Sequence, residues 1–159
     1  REDVDLEALA EIPAPSNVLK LLKWVIPTLV LAAFYIGWQK HSGDKLEELV
    51  LAWLLPNSVM AALLSMLGGA KPLSVVTAFI ASPITSLNPT IGAGMVVGLV
   101  EAWLRKPTVQ DAENLSGDFT SIRGAYKNPF SRVLIVAILA TLGSALGAWI
   151  GAGLVLSYL

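Results

Sequence analysis

The stretch Ser82-Pro83-Ile84-Thr85-Ser86-Leu87-Asn88-Pro89-Thr90 decides how this chain folds. It sits in the middle of Pro72–Leu104, 33 residues whose one charge is Glu101. As a single helix that segment would be about 50 Å long, well beyond a bilayer core of about 30 Å. Two prolines, each biasing the preceding residue away from helix, argue against a continuous helix. The spacing predicts two half-length helices, Leu73–Ala81 and Thr90–Leu104, joined by non-helical backbone. Inside a bilayer such backbone persists only where protein or a water-lined cavity covers its polar groups.

The flanks make a bilayer the expected surroundings. The chain is 55% hydrophobic and 14% charged, against roughly 25% charge in soluble domains. Trp24–Gln39, Leu49–Ala70, Pro72–Val100 and Val133–Leu159 carry no charge at all. Soluble helices need a charged face toward water, and these segments have none. The expected fold is therefore all-α, a polytopic helical membrane protein. It has three full spans, near Leu21–Trp38, Leu46–Leu67 and Phe130–Leu159, plus a proline-broken element, either re-entrant or a hairpin of two half-helices. Pro56-Asn57 is expected to interrupt the second span, and Asn128-Pro129 supplies a cap and a first-turn proline for the last. Residues 1–17, with an acidic opening and Pro13-Ala14-Pro15, read as the linker tail from a missing N-terminal domain, and 18–159 as the membrane domain. A short amphipathic helix is expected at Val4–Glu11.

Lysine and arginine placement bears on orientation. If the broken element returns to its starting side, nine basic residues face two (Lys40 and Lys45). A single crossing splits them four to seven, a weaker bias. The hairpin, with the N-terminus and the 105–129 loop cytoplasmic in a cell membrane, is the favoured arrangement. Two thin full crossings give the same count. In the loop, Thr108 and Asp111 have capping-box spacing, with a short helix to Leu115 and breaks at Gly117 and Gly124.

The polar residues left inside these segments suggest a candidate intramembrane site: Asn57, Ser82, Thr85, Ser86, Asn88, Thr90, Glu101 and Arg105. Paired interrupted helices point to transporter binding sites; equally, these side chains can simply satisfy backbone freed by the prolines. Glu101 stands four residues before Arg105, the favourable helical spacing. The pair can lie in the bundle interior or at the interface beside Trp103. Gly143, Gly147 and Gly151 form small-residue repeats on one face of the last span, and Gly94 and Gly98 form another. They suit packing within the chain or homodimerisation.

Several function classes lose their means. With no cysteine there is no disulfide, thiolate nucleophile or cysteine-held metal. One histidine, His41, builds no zinc site, and a net charge of −1 leaves no basic footprint for nucleic acid. No catalytic constellation is legible in this chain, and no cofactor or metal is expected. The expected partners are the lipid bilayer, a second copy, and a peptide or small solute.

The run Ala81–Gly94, together with Gly98-Leu99-Val100-Glu101-Ala102-Trp103-Leu104-Arg105-Lys106-Pro107-Thr108-Val109-Gln110-Asp111, resembles the C-terminal membrane region of the TraB/PrgY family. Ser121-Ile122-Arg123-Gly124, Asn128-Pro129 and Leu142-Gly143-Ser144 also fit that pattern. The resemblance implies a larger N-terminal domain similar to TIKI-type proteins, linked to metal-dependent peptidase chemistry through a Gly-x-x-His motif. It also implies, for bacterial members, a link to shutdown of peptide pheromone signalling. Those catalytic residues have no counterpart here. Three readings follow: a membrane module that anchors and dimerises the missing domain, with a polar intramembrane site; a small channel or transporter built on the Pro56-Asn57 and Asn88-Pro89 breaks; or the membrane part of a peptide-inactivating metallopeptidase.

Overall fold

The computed structural model describes residues 17–41, 45–88, 90–118 and 120–158. They form helices α1 (Asn17–His41), α2 (Leu46–Leu67), α3 (Pro72–Thr85), α4 (Ala93–Arg105), α5 (Val109–Glu113), α6 (Leu115–Asp118), α7 (Ile122–Lys127) and α8 (Pro129–Ser157), with no strand among the described residues. The expected linker and amphipathic helix lie outside the described residues, apart from Asn17, which opens α1. Pro89 is also outside them.

The prolines behave differently from expectation. Pro56 lies inside α2, which runs unbroken over its expected length. Pro83 lies inside α3, which continues past Ala81 to Thr85. A helical proline removes one hydrogen bond and crowds the turn before it, and packing here holds both turns in place. Trp53, Asn57 and Ser58 are buried on both sides of Pro56, and Asn57 Nδ2 donates to the Trp53 carbonyl at 2.9 Å. The Pro83 ring is itself buried, and its carbonyl accepts from Trp53 Nε1 at 3.5 Å. The true break is Ser86–Gly92. There Asn88 Oδ1 accepts from the Thr90 amide (2.9 Å) and hydroxyl (2.7 Å), a side chain standing in for backbone in a turn. In consequence α4 starts at Ala93 rather than Thr90.

The 72–104 segment returns to where it began. Lys71 Nζ, at the start of α3, donates to the carbonyl of Leu104, at the end of α4, at 2.8 Å. The two helices are thus an antiparallel hairpin whose tip is the Ser86–Gly92 break. This hairpin packs against α2 and α8, which pair most extensively with each other.

The glycines set that pairing. A methyl added at Gly143 would lie 2.7 Å from Ala61 Cα, and at Gly147, 2.6 Å from Asn57 Cα. At Gly151 it would lie 3.2 Å from the Trp53 carbonyl oxygen. Going up α8 therefore means going down α2 in matched four-residue steps, an antiparallel pair whose backbones touch. Gly94 and Gly98 of α4 meet Ala137 of α8 in the same way, Gly94 also meeting Thr141. Val30 and Ala33 of α1 join Leu49, Trp53 and Val155 in one core cluster; Ala61, Ala78, Val97, Val136 and Ala140 make the other.

Among the described residues two helices, α2 and α8, are long and apolar enough by length and composition to cross a membrane. The third expected span, in α1, does not meet the same measure; its uncharged run, Trp24–Gln39, is 16 residues within a helix of 25.

Three short helices cover one end of the bundle. Thr108 and Asp111 form the reciprocal capping box of α5. Gly117 and Gly124, expected as breaks, instead lie within α6 and α7. Gly124 is needed for space, since a methyl there would press on the Ser121 hydroxyl and the Asp118 carbonyl. Asn128 accepts from the Phe130 and Ser131 amides at 2.9 and 3.1 Å, opening α8, and donates to Asp111 O and Asp118 Oδ2.

Candidate functional site

The eight polar residues singled out from the sequence fall into three places. At the base of the hairpin, opposite its tip, Glu101 is fully buried and Arg105 is 16% exposed. Helical spacing brings Arg105 Nε to 2.5 Å from Glu101 Oε1. The other carboxylate oxygen accepts from the Lys71 amide at 3.1 Å and from the Ser74 hydroxyl. Arg105 Nη2 then donates to the Gly69 carbonyl at 2.8 Å. One carboxylate thus ties the end of α4 to the α2–α3 turn. Nearby, Arg132 Nη1 donates to the Tyr126 carbonyl (3.0 Å) and stacks 5.5 Å from that ring's centre. Tyr126 in turn donates to the Leu67 carbonyl at 3.0 Å.

Half-way along α2 and α8 is the second place. Ser86, in the turn that ends α3, directs its hydroxyl to Asn57 Oδ1 (2.8 Å) and the Ser82 carbonyl (2.7 Å), and lies 3.0 Å from Ser144 Oγ. Asn57 is fully buried, as are the adjacent Ser58 and Ser82, whose hydroxyls have no partner. Thr85 sits at the edge, donating to the Ala81 carbonyl. This is a junction of hydroxyls and one amide, with no titratable side chain in it. It can bind a neutral hydrogen-bonding group, but it has no base to activate a serine.

Asn88 and Thr90 occupy the third place. Both are exposed and bond each other in the tip turn, not Asn57. Asn57 therefore meets the end of α3 through Ser86, not through Asn88. Sequence reasoning missed Ser144 and Ser74. The signal was available in α3, where Ser74, Ala78, Ser82 and Ser86 recur every four residues, one helical face. Ser144 hid among the glycines of α8. The glycine faces, left open between internal packing and a dimer, are filled within the chain: Gly143, Gly147 and Gly151 by α2, and Gly94 and Gly98 by α8. Among the described residues no three His, Asp or Glu side chains gather as a metal site.

The comparisons with known proteins match this sequence over nearly its whole length. The family model for the C-terminal domain of TraB family proteins matches residues 18–159. The chain belongs to the TraB family. The chain is also similar to an uncharacterized protein of Methanocaldococcus jannaschii, 29% identical over an alignment covering 99% of this chain and 41% of that protein. The chain thus spans about two fifths of that protein's length. No solved structure matches. The TraB-like signature over Ala81–Asp111 maps onto the hairpin tip, α4 and the start of the covering loop, so it includes Ser86 and the Glu101–Arg105 pair.

Proposed function

We propose that this TraB C-terminal domain is a membrane-embedded module that holds a re-entrant hairpin half-way into the bilayer and anchors the remainder of a longer protein. One observation carries the reading: the residue distribution is inverted relative to a soluble bundle. Ser58, Ser65, Ser74, Ser82, Ser131, Asn57 and Glu101 are fully buried or nearly so. Outside, Leu67, Leu99, Trp103 and Trp149 are each more than two thirds exposed. Water would oppose that exterior, and lipid tails would not. The small-residue backbone contacts between α2 and α8 are the packing mode that works without a hydrophobic drive.

In this topology α1, α2 and α8 cross, and α3 and α4 enter and leave on the side of the 105–129 loop. That side carries most of the arginine and lysine and is cytoplasmic. Anchoring proceeds from a single copy, because the glycine faces are filled internally. A second reading, a solute-conducting role, is favoured by the Asn57–Ser86–Ser144 junction, whose depth exceeds what a tether needs.

The natural absence of cysteine makes a clean test. Single cysteines at Asn17, Lys45 and Ser116 are placed in sealed, oriented vesicles and treated with a membrane-impermeant maleimide. Positions 17 and 116 should react from the same side and position 45 from the other. Equal reaction of all three in intact vesicles, or release of the protein by alkaline carbonate, would overturn the membrane reading.

A further inference from the structure

The hairpin is shorter than the helices it packs on, and this leaves space beneath its tip. α3 has 14 residues and α8 has 29, about 21 and 43 Å of helix. Around the end of the hairpin, at Thr85, Ser86, Gly92 and Ala93, α1 and α8 face each other across open space. A half-open chamber of about 750 Å³ lies there, within the size range of small-molecule sites. Its walls are apolar, with Val30 and Ala33 on one side and Ala148 and Ala152 on the other. Among the described residues no charged side chain lines it. At its rim Leu29 and Trp149 are largely exposed on the outer, lipid-side face.

The polar end of the chamber is made by Thr85, Ser86, Thr141 and Ser144, and their protons already have acceptors. Thr85 and Thr141 give theirs to their own helices, at Ala81 O and Ala137 O, both 2.9 Å. The Ser82 carbonyl accepts from the Ser86 amide at 2.9 Å, so the Ser86 hydroxyl can give its single proton to Asn57 Oδ1. Ser144 can give its own to Ser86. What these four oxygens still offer a ligand is lone pairs, and the site is short of free donors.

We propose that this chamber binds one membrane-borne neutral amphiphile, an apolar chain ending in a hydroxyl that donates into the Asn57–Ser86–Ser144 junction. The uncharged lining among the described residues selects against an ionic headgroup. The donor shortage selects a hydroxyl over an ester or ether, and the lateral opening supplies the ligand from lipid. The inference rests on the membrane reading above.

The test uses the intact protein in phosphatidylcholine vesicles and a photoactivatable long-chain alcohol, with the same chain lacking the hydroxyl as control. Alcohol labelling should saturate, map to α1 and α8, and be competed by the parent alcohol. Ser86→Ala should weaken it about fivefold, one hydrogen bond of typical strength. Ala145→Trp, at an exposed lining position, should abolish it by filling the chamber. Equal, unsaturable labelling by alcohol and hydrocarbon probes, unchanged in Ala145→Trp, means ordinary lipid contact and overturns the proposal. If the protein fails to float with the vesicles, the membrane reading itself falls. If it floats and shows no saturable labelling, only the ligand site falls.

Discussion

Glu101 is where one side chain decides the most. Its carboxylate is fully buried, and burying a charge is tolerable only when it is paired and hydrogen-bonded. Arg105, Ser74 and the Lys71 amide meet that condition together. Removing Arg105 alone would leave an uncompensated buried anion, so Arg105→Leu should destabilise the bundle by about 3 kcal/mol. Adding Glu101→Gln to that variant keeps a side chain of the same shape within reach of Ser74 and Lys71. The double variant should recover more than half of the loss in thermal unfolding in detergent, a coupling that independent sites would not give. The i,i+4 spacing made the Arg105 partner legible in the sequence. Ser74 and Lys71 were not, because they lie 27 and 30 residues away and only the hairpin brings them in. Whether Glu101 faced the interior or the interface was undecidable for the same reason.

At the scale of helices, apolar runs with clear caps read well and prolines read badly. Leu46–Leu67 follows from an uncharged run opened by Glu47 and Glu48, and the start of α8 follows from Asn128 and Pro129. Pro56 and Pro83 look like breaks in a one-dimensional reading because their cost is local. What offsets it is tertiary: the packing of Trp53 and Asn57 against α3 and α8. The glycine repeat was legible as a packing face, but its partner was not, since small residues fit any backbone that approaches. The structure makes this specific. Gly147→Ala would set a methyl 2.6 Å from both Asn57 Cα and the Pro56 carbonyl oxygen, and should cost about 2 kcal/mol through overpacking. Gly153, two residues beyond Gly151 on the same helix, has nothing within 4 Å. Gly153→Ala should be neutral or stabilising by up to about 1 kcal/mol, since alanine loses less backbone freedom in a helix. Unfolding midpoints of the two variants, compared side by side, separate close packing from general helix propensity. A similar loss in both would contradict the register drawn here.

For the whole molecule, the consequence of the broken segment is a mismatch of lengths. Two helices, α2 and α8, can reach across a bilayer core of about 30 Å, whereas a 14-residue α3 reaches about 21 Å. The helix ends at Ser86 and Ala93 therefore belong near mid-depth in the proposed topology, where unpaired backbone is most costly. Ser86, Asn57 and Ser144 converge at that level, so the polar junction and the half-length hairpin are one design: the turn requires polar cover, and α2 and α8 carry it at matching heights. Depth is then directly measurable. A bimane attached to Gly92→Cys, a tip position with open space around it, should be quenched most by lipids spin-labelled deep in the acyl chain. The same label at Lys106→Cys, just past the end of α4, should be quenched most by headgroup labels. If the hairpin instead crossed fully, Gly92→Cys would take the headgroup pattern and react with aqueous maleimide on the side of Lys45. The two arrangements, indistinguishable by counting charges, differ by half a bilayer at this one residue.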